Sequence, residues 1–134
     1  MEKLNKFNFT LTVNNDDIDN LNHVNNIRYI EWVLMAAQKH WNVITNSNLK
    51  DEVVWVVLRH EIDYLASAKL HDKIIINTWI GDSYGVKSER FVEIYNENKM
   101  LVKAKTIWCM LDEKTMKPIR IPIEILKILE SKSD

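Results

Sequence analysis

An α+β fold, in which a curved antiparallel sheet wraps one long helix, is what this 134-residue sequence predicts. Three observations carry the expectation. A single run from about Val24 to Trp41 repeats apolar side chains at helical spacing and is apolar around most of its circumference. One strand-like segment precedes that run and several follow it, each dense in Val, Ile, Trp, Tyr or Phe. With 46% hydrophobic residues but only two glycines and two prolines, the chain has apolar surface for one core and little material for linkers. A single domain over residues 1–134 is therefore expected.

The first strand follows from a period of two: Phe7, Phe9, Leu11 and Val13 alternate with Asn8, Thr10 and Thr12, so one face meets a core and the other water. A polar loop from Asn14 to Asn22 leads into the helix, where Ile27, Ile30, Leu34, Ala37 and Trp41 recur at helical spacing. Tyr29, Trp32, Val33, Met35 and Ala36 fill much of the remaining circumference, which predicts a buried helix. Strands are expected over Val53–Tyr64, Lys73 to about Ile80, Lys87–Tyr95 and Met100–Leu111. Asp82–Gly85 and Asn96–Lys99 are the turns between the last three. After a turn at Asp112–Thr115 comes a short segment, Ile119–Ile121, and Pro122 suits the first position of a closing helix that runs to about Leu129. The apolar residues on both faces of Val53–Leu58, with the five tryptophans, predict a symmetric homo-oligomer that covers exposed sheet.

Composition removes several function classes. A net charge of -1 gives no basic footprint for nucleic acid. The lone Cys109 cannot close an internal disulfide, and no apolar run approaches the about 20 residues that cross a bilayer, so a cytoplasmic protein without membrane contact is expected. Met1–Lys6 is not followed by the apolar stretch of a secretory leader. A Gly-rich phosphate loop, a G-x-S-x-G elbow, a C-x-x-C pair and paired histidines are all missing, which disfavours nucleotide, serine-hydrolase and dithiol chemistry and leaves neither a cofactor nor a metal site expected. His40, His60 and His71 read as structural.

The polar stretch Asp17-Ile-Asp-Asn-Leu-Asn-His-Val-Asn-Asn-Ile-Arg-Tyr29 holds the candidate chemistry. A helix entrance presents unpaired N–H groups and a positive dipole end, where a docked carbonyl is polarised while a nearby carboxylate attacks it or activates water. Asp19 is the leading catalytic candidate, and capping of a turn or of the helix is the competing role for the same residue. Asp17, two residues earlier, suits loop orientation. His23 is either a base or hydrogen-bond donor or a structural group, and Asn25 and Asn26 either contact a ligand or cap the helix. Glu31 is conspicuous on an apolar helix, with an ion pair to Arg28 three residues before it as the plain explanation. Lys87, Ser88 and Arg90 can bind a phosphate or pantetheine group at the sheet edge, or form a solvated strand face, and Arg59 and Arg120 share that ambiguity.

The run from Asp17 to Trp32, with its D-x-D…H-V-N-N-x-x-Y pattern, resembles the hotdog-fold thioesterases of the 4-hydroxybenzoyl-CoA thioesterase type and the plant and bacterial acyl-ACP thioesterases. Ile62–Ile74, Val86–Ser88 and Lys117–Pro122 are similar to later segments of that family in the same order. The resemblance implies a sheet wrapped around the central helix and pairing of two protomers, as a dimer or a dimer of dimers. It also implies hydrolysis of an acyl-CoA or acyl-ACP thioester. By position it makes Asp19 the attacking or water-activating carboxylate, the Asn26 backbone N–H the donor to the carbonyl, and His23 the histidine beside the aspartate. Lys87 matches a position where that type carries basic residues near the CoA phosphates, and Asn25, Tyr29, Arg59, Lys87 and Ser88 are the expected substrate contacts. Two departures stand out: acyl-ACP thioesterases carry an asparagine where this chain has Leu21, and a glutamate near Leu65 or Ala66. An Asp-centred mechanism of the 4-hydroxybenzoyl-CoA type fits better. The alternative is a non-catalytic hotdog module that binds an acyl thioester as a sensor, and a hotdog dehydratase is weakened by the lack of its His-containing motifs.

Overall fold

A computed structural model describes residues 4–46, 53–97 and 99–131. Strand β1 (Leu4–Thr12) leads through a 3-10 turn (Asn15–Asp17) to helix α1 (Asn26–Ile44). Four strands follow, β2 (Val54–Tyr64), β3 (Lys73–Tyr84), β4 (Lys87–Asn96) and β5 (Lys99–Leu111), and then helix α2 (Ile123–Glu130). The sheet order is β1-β3-β4-β5-β2 with every neighbouring pair antiparallel, so β3, β4 and β5 form a meander while β1 and β2 are the edges. This is the expected α+β arrangement. No described helix is long and apolar enough to cross a membrane.

Strand parity decides what lies under α1. On β3, Ile74, Ile76, Thr78 and Ile80 point inward; on β4, Ser88, Arg90, Val92 and Ile94 do so; and all eight are buried. Against them α1 lays Tyr29, Trp32, Val33, Ala36, Ala37, His40 and Trp41. Ala36 is fully buried, and a small side chain there lets the helix axis approach the sheet closely. A second apolar cluster joins Trp41 and Ile80 to Met110, Ile121, Ile125 and Leu129, which seats α2.

Several boundaries differ from the sequence expectation. Val24 stays outside α1 because its N–H donates to the Ala68 carbonyl, and the helix continues past Trp41 to Ile44. Nor is α1 buried all round: Ile27, Leu34, Met35 and Val43 are exposed. β3 runs on to Tyr84, so the turn shrinks to Gly85–Val86, with Gly85 at φ 60° where a side chain would be strained. Ile119–Ile121 is not a strand. Its backbone is held instead by Ile119 N–H to the Met110 carbonyl and Ile121 N–H to the Gly85 carbonyl. Pro122 caps α2 rather than opening its first turn. Ser88 and Arg90 lie on the inner face, not on a solvated one. The turn expected at Asn96–Lys99 includes Asn98, which with Met1–Lys3 lies outside the described residues.

Three polar groups tie helix to sheet. Arg90 Nη1 donates to His40 Nδ1 at 2.8 Å and to Thr78 Oγ1 at 3.0 Å. Arginine can only donate, so His40 accepts through Nδ1 and is neutral with its proton on Nε2. Burial, with the Arg90 charge adding to it, lowers the His40 pKa from 6.5 to about 3. A histidine so lowered leaves the folded state with fewer bound protons than the unfolded chain between those two values, so stability is full above pH 6.5 and is lost as the pH falls towards 3. The wild-type unfolding free energy from urea titration should drop by on the order of 3 kcal/mol more than that of His40→Gln between pH 7 and 4. Parallel pH profiles for the two proteins would show that His40 is not the group responsible.

Candidate active site

The stretch from Asp17 to Asn25 folds into a miniature hairpin that ends at the first turn of α1. Its rungs are backbone contacts. Asn25 N–H donates to the Asp17 carbonyl at 2.9 Å, Ile18 and Val24 form an isolated bridge, and Asp19 N–H donates to the His23 carbonyl at 2.8 Å. Asn22, at φ 64°, supplies the left-handed turn that asparagine tolerates. Asp19, His23, Asn25 and Asn26 are thereby gathered at one helix entrance, and Leu21 projects from the tip, 70% exposed.

The carboxylate of Asp19 is divided in its use. Oδ1 accepts the Leu21 N–H at 2.9 Å and the His23 N–H at 3.3 Å, while no bond to Oδ2 occurs among the described residues. Capping and availability for chemistry, the two roles open from spacing, thus coexist on one side chain. The helix cap belongs to Asn25, whose Oδ1 accepts the Ile27 N–H at 3.1 Å and whose carbonyl accepts the Arg28 N–H at 2.8 Å. That leaves the Asn26 N–H, at the first helical position, without an acceptor among the described residues. His23 is exposed.

Two buried residues hold the hairpin from beneath. Asp17, 7% exposed, accepts the Asn14 N–H through Oδ2 at 2.9 Å and meets Arg28 Nε through Oδ1 at 2.9 Å. Arg28 completes its fork with Glu31 Oε2 at 2.9 Å and the Asp16 carbonyl at 2.8 Å. The Arg28–Glu31 pair is the one expected from spacing, but Glu31 lies on the exposed face of α1. Tyr29 is 1% exposed, and its hydroxyl oxygen accepts the Ala68 N–H at 2.8 Å. Burial, with the Asp72 and Asp19 charges adding to it, raises the Tyr29 pKa and keeps the phenol neutral. Tyr29 thus serves as a support for the entrance.

The remaining sequence candidates lie elsewhere. Arg59 is exposed on β2 and paired with Glu61 at 2.7 Å, and Lys87 is exposed at the start of β4. Ser88 faces inward with its hydroxyl 2.9 Å from that of Ser83, so it presents nothing at the sheet surface. The tie from Arg28 to Asp17 had no local signal in the sequence. The inward aspect of Ser88 and Arg90 did have one: they share strand parity with Val92 and Ile94. No cluster of metal-binding side chains occurs among the described residues.

Residues 4–129 match the acyl-ACP thioesterase N-terminal domain. The chain belongs to this family. Among its relatives, the chloroplastic acyl-ACP hydrolase FATB1 of Cuphea viscosissima is 28% identical over 78 residues, covering 57% of this chain and 19% of the relative. The acyl-CoA thioesterase YbgC of Haemophilus influenzae is 27% identical over 125 residues, covering 90% and 92%. The 12:0-ACP thioesterase of Umbellularia californica superposes with a TM-score of 0.82 at 14% identity, over 96% of this chain and 51% of that one, and so shares the fold. The expected hotdog architecture is therefore found. This acyl-ACP thioesterase family member spans about a fifth of the length of the plant relatives it matches.

Replacing Arg28 with methionine leaves the buried Asp17 carboxylate without its charge partner. Arg28→Met should lower the unfolding free energy by about 1–3 kcal/mol, read from urea denaturation. An unchanged midpoint would mean that the Asn14 N–H suffices to hold Asp17.

Proposed function

We propose that this protein is an acyl thioesterase that hydrolyses an acyl-CoA or acyl-ACP thioester to the free acid and the thiol, with Asp19 as nucleophile or general base. The observation that carries the reading is the divided Asp19 carboxylate, one oxygen fixed by its own loop and the other without a partner beside the helix entrance. The Asn26 N–H, unpaired at the positive end of α1, is the donor for the thioester carbonyl oxygen. As that oxygen gains charge the hydrogen bond strengthens, which lowers the barrier to addition.

Oδ2 reacts in one of two ways. As nucleophile it forms a C–O bond to the carbonyl carbon, the C–S bond breaks, sulfur leaves as thiolate, and water then hydrolyses the acyl-aspartate anhydride. As general base it takes a proton from water, whose oxygen forms the C–O bond directly. Either way water supplies the oxygen of the acid and the hydrogen of the thiol. His23 assists Asp19 or holds the turn, Asn25 and Tyr29 maintain the entrance, and the exposed Arg59 and Lys87 are the cations for an anionic carrier.

The names of FATB1 and YbgC, an acyl-ACP hydrolase and an acyl-CoA thioesterase, support the substrate class. Leu21, Leu65 and Ala66 offer no polar side chain where the acyl-ACP set has an asparagine and a glutamate, which favours the Asp-centred route. A homo-oligomer is supported by the unpaired edge of β2 and by Leu58 and Ile27, 52% and 62% exposed.

Asparagine at position 19 keeps an acceptor for the Leu21 and His23 N–H groups while removing the charge. Asp19→Asn should therefore lower kcat for thiol release by about a hundredfold or more with the thermal midpoint unchanged. Full activity in this variant would remove Asp19 from the chemistry. Saturable binding by the wild type without thiol release, over a panel of acyl-CoA and acyl-ACP substrates, would favour the sensor.

A further inference from the structure

Between the later turns of α1 and the sheet lies a cavity of about 160 Å³. Leu34, Ala37 and Trp41 line its helix side, and Trp55, Arg90 and Trp108 line its sheet side. Its volume is comparable to that of interior cavities that admit a benzene-sized guest. Leu34 is exposed, so the cavity reaches the protein surface.

Gln38 and Ser88 also line it, and Arg90 is the charged group of its wall. Arg90 is 6% exposed, and its hydrogen bonds run from Nη1 to His40 and Thr78, both neutral. No carboxylate pairs with it among the described residues. The indole Nε1 atoms of Trp55 and Trp108 are buried with no hydrogen-bond partner. A buried cation without a counter-ion is costly, whereas the two indole N–H groups expose no surface to the cavity. A ligand that brings a carboxylate into the cavity supplies Arg90 with the missing counter-ion.

We propose that Arg90 recognises a carboxylate at the far end of the acyl group, which makes the substrate class an ω-carboxyacyl thioester. The planar guanidinium fork matches a carboxylate, and the apolar helix side takes the methylene chain. Leu34 stands eight residues beyond Asn26 on α1, about 12 Å along the helix axis, so the chain that joins the two ends is of medium length. This inference rests on the thioesterase reading above. It adds the identity of the group at the end of the chain.

The test compares kcat/KM for matched CoA and ACP thioesters: succinyl with butyryl, adipyl with hexanoyl, suberyl with octanoyl, sebacyl with decanoyl. At one or more lengths the ω-carboxy member should be preferred at least tenfold, and Arg90→Met should abolish that preference while plain acyl turnover persists. A preference for the plain chain at every length overturns the proposal. If the wild type cleaves none of these thioesters, the thioesterase reading fails, and the carboxylate site is read separately from tryptophan fluorescence. Octanoate should then bind at least tenfold more tightly than 1-octanol, and Arg90→Met should remove the difference; equal binding overturns the site. Because Arg90→Met strips a donor from His40 and Thr78, Arg90→Lys, which keeps a cationic donor but loses the planar fork, serves as the milder variant. It should weaken the carboxylate preference at least threefold, and an unchanged preference in both Arg90 variants overturns the proposal.

Discussion

The rest of the structure depends on one constraint: a five-stranded sheet has a single long helix to cover its inner face. An apolar sheet face of that size must be buried, and α1 does so by lying close, with Ala36 and Ala37 where the two layers meet. Once Tyr29, Trp32 and Val33 are seated, the position of the first helical turn is no longer adjustable. The hairpin from Asp17 to Asn25 is built onto that fixed end, so the place of Asp19 relative to the sheet follows from helix packing as well as from the loop's own bonds.

Charge inside the protein is handled in two contrasting ways. Asp17 is almost completely satisfied, with a backbone N–H on one oxygen and the Arg28 guanidinium on the other, and that guanidinium is itself shared with Glu31 and a carbonyl. Such a network fixes geometry, because every member loses a partner if the loop shifts. Arg90 is the opposite case, a buried cation whose partners among the described residues are neutral. The two charges thus stand at opposite ends of a range, one fully paired and one held by neutral acceptors alone.

Much of the architecture was legible in the sequence, because alternation and helical spacing are local. Phe7, Phe9 and Leu11 announce β1, and the apolar run after Asn26 announces α1. The true start of α1 was not legible, since the Ala68 carbonyl that claims the Val24 N–H is 44 residues away in the chain. Of the site, the polar cluster and the candidacy of Asp19 could be read, but not the allocation of its two oxygens, which depends on the Asn22 turn. The inward aspect of Arg90 and Ser88 is carried by strand parity alone, because their polarity points to a solvated face. The exposure of Leu34 and Met35 is not legible, because spacing alone cannot show which side of an apolar helix faces the sheet.

The strand order carries a consequence for how the site is assembled. Only the β3–β4 and β4–β5 pairings join neighbours in sequence, whereas β1 pairs with β3 across the whole of α1 and β2, with Thr12 opposite Lys73. Closing so long a loop is entropically costly, so the meander is the part of the chain that can form earliest and β1 the part that must arrive late. The hairpin that holds Asp19 hangs between β1 and α1. Its amide hydrogens therefore belong among the protein's less protected ones, and the proposed site is attached to a region that closes late.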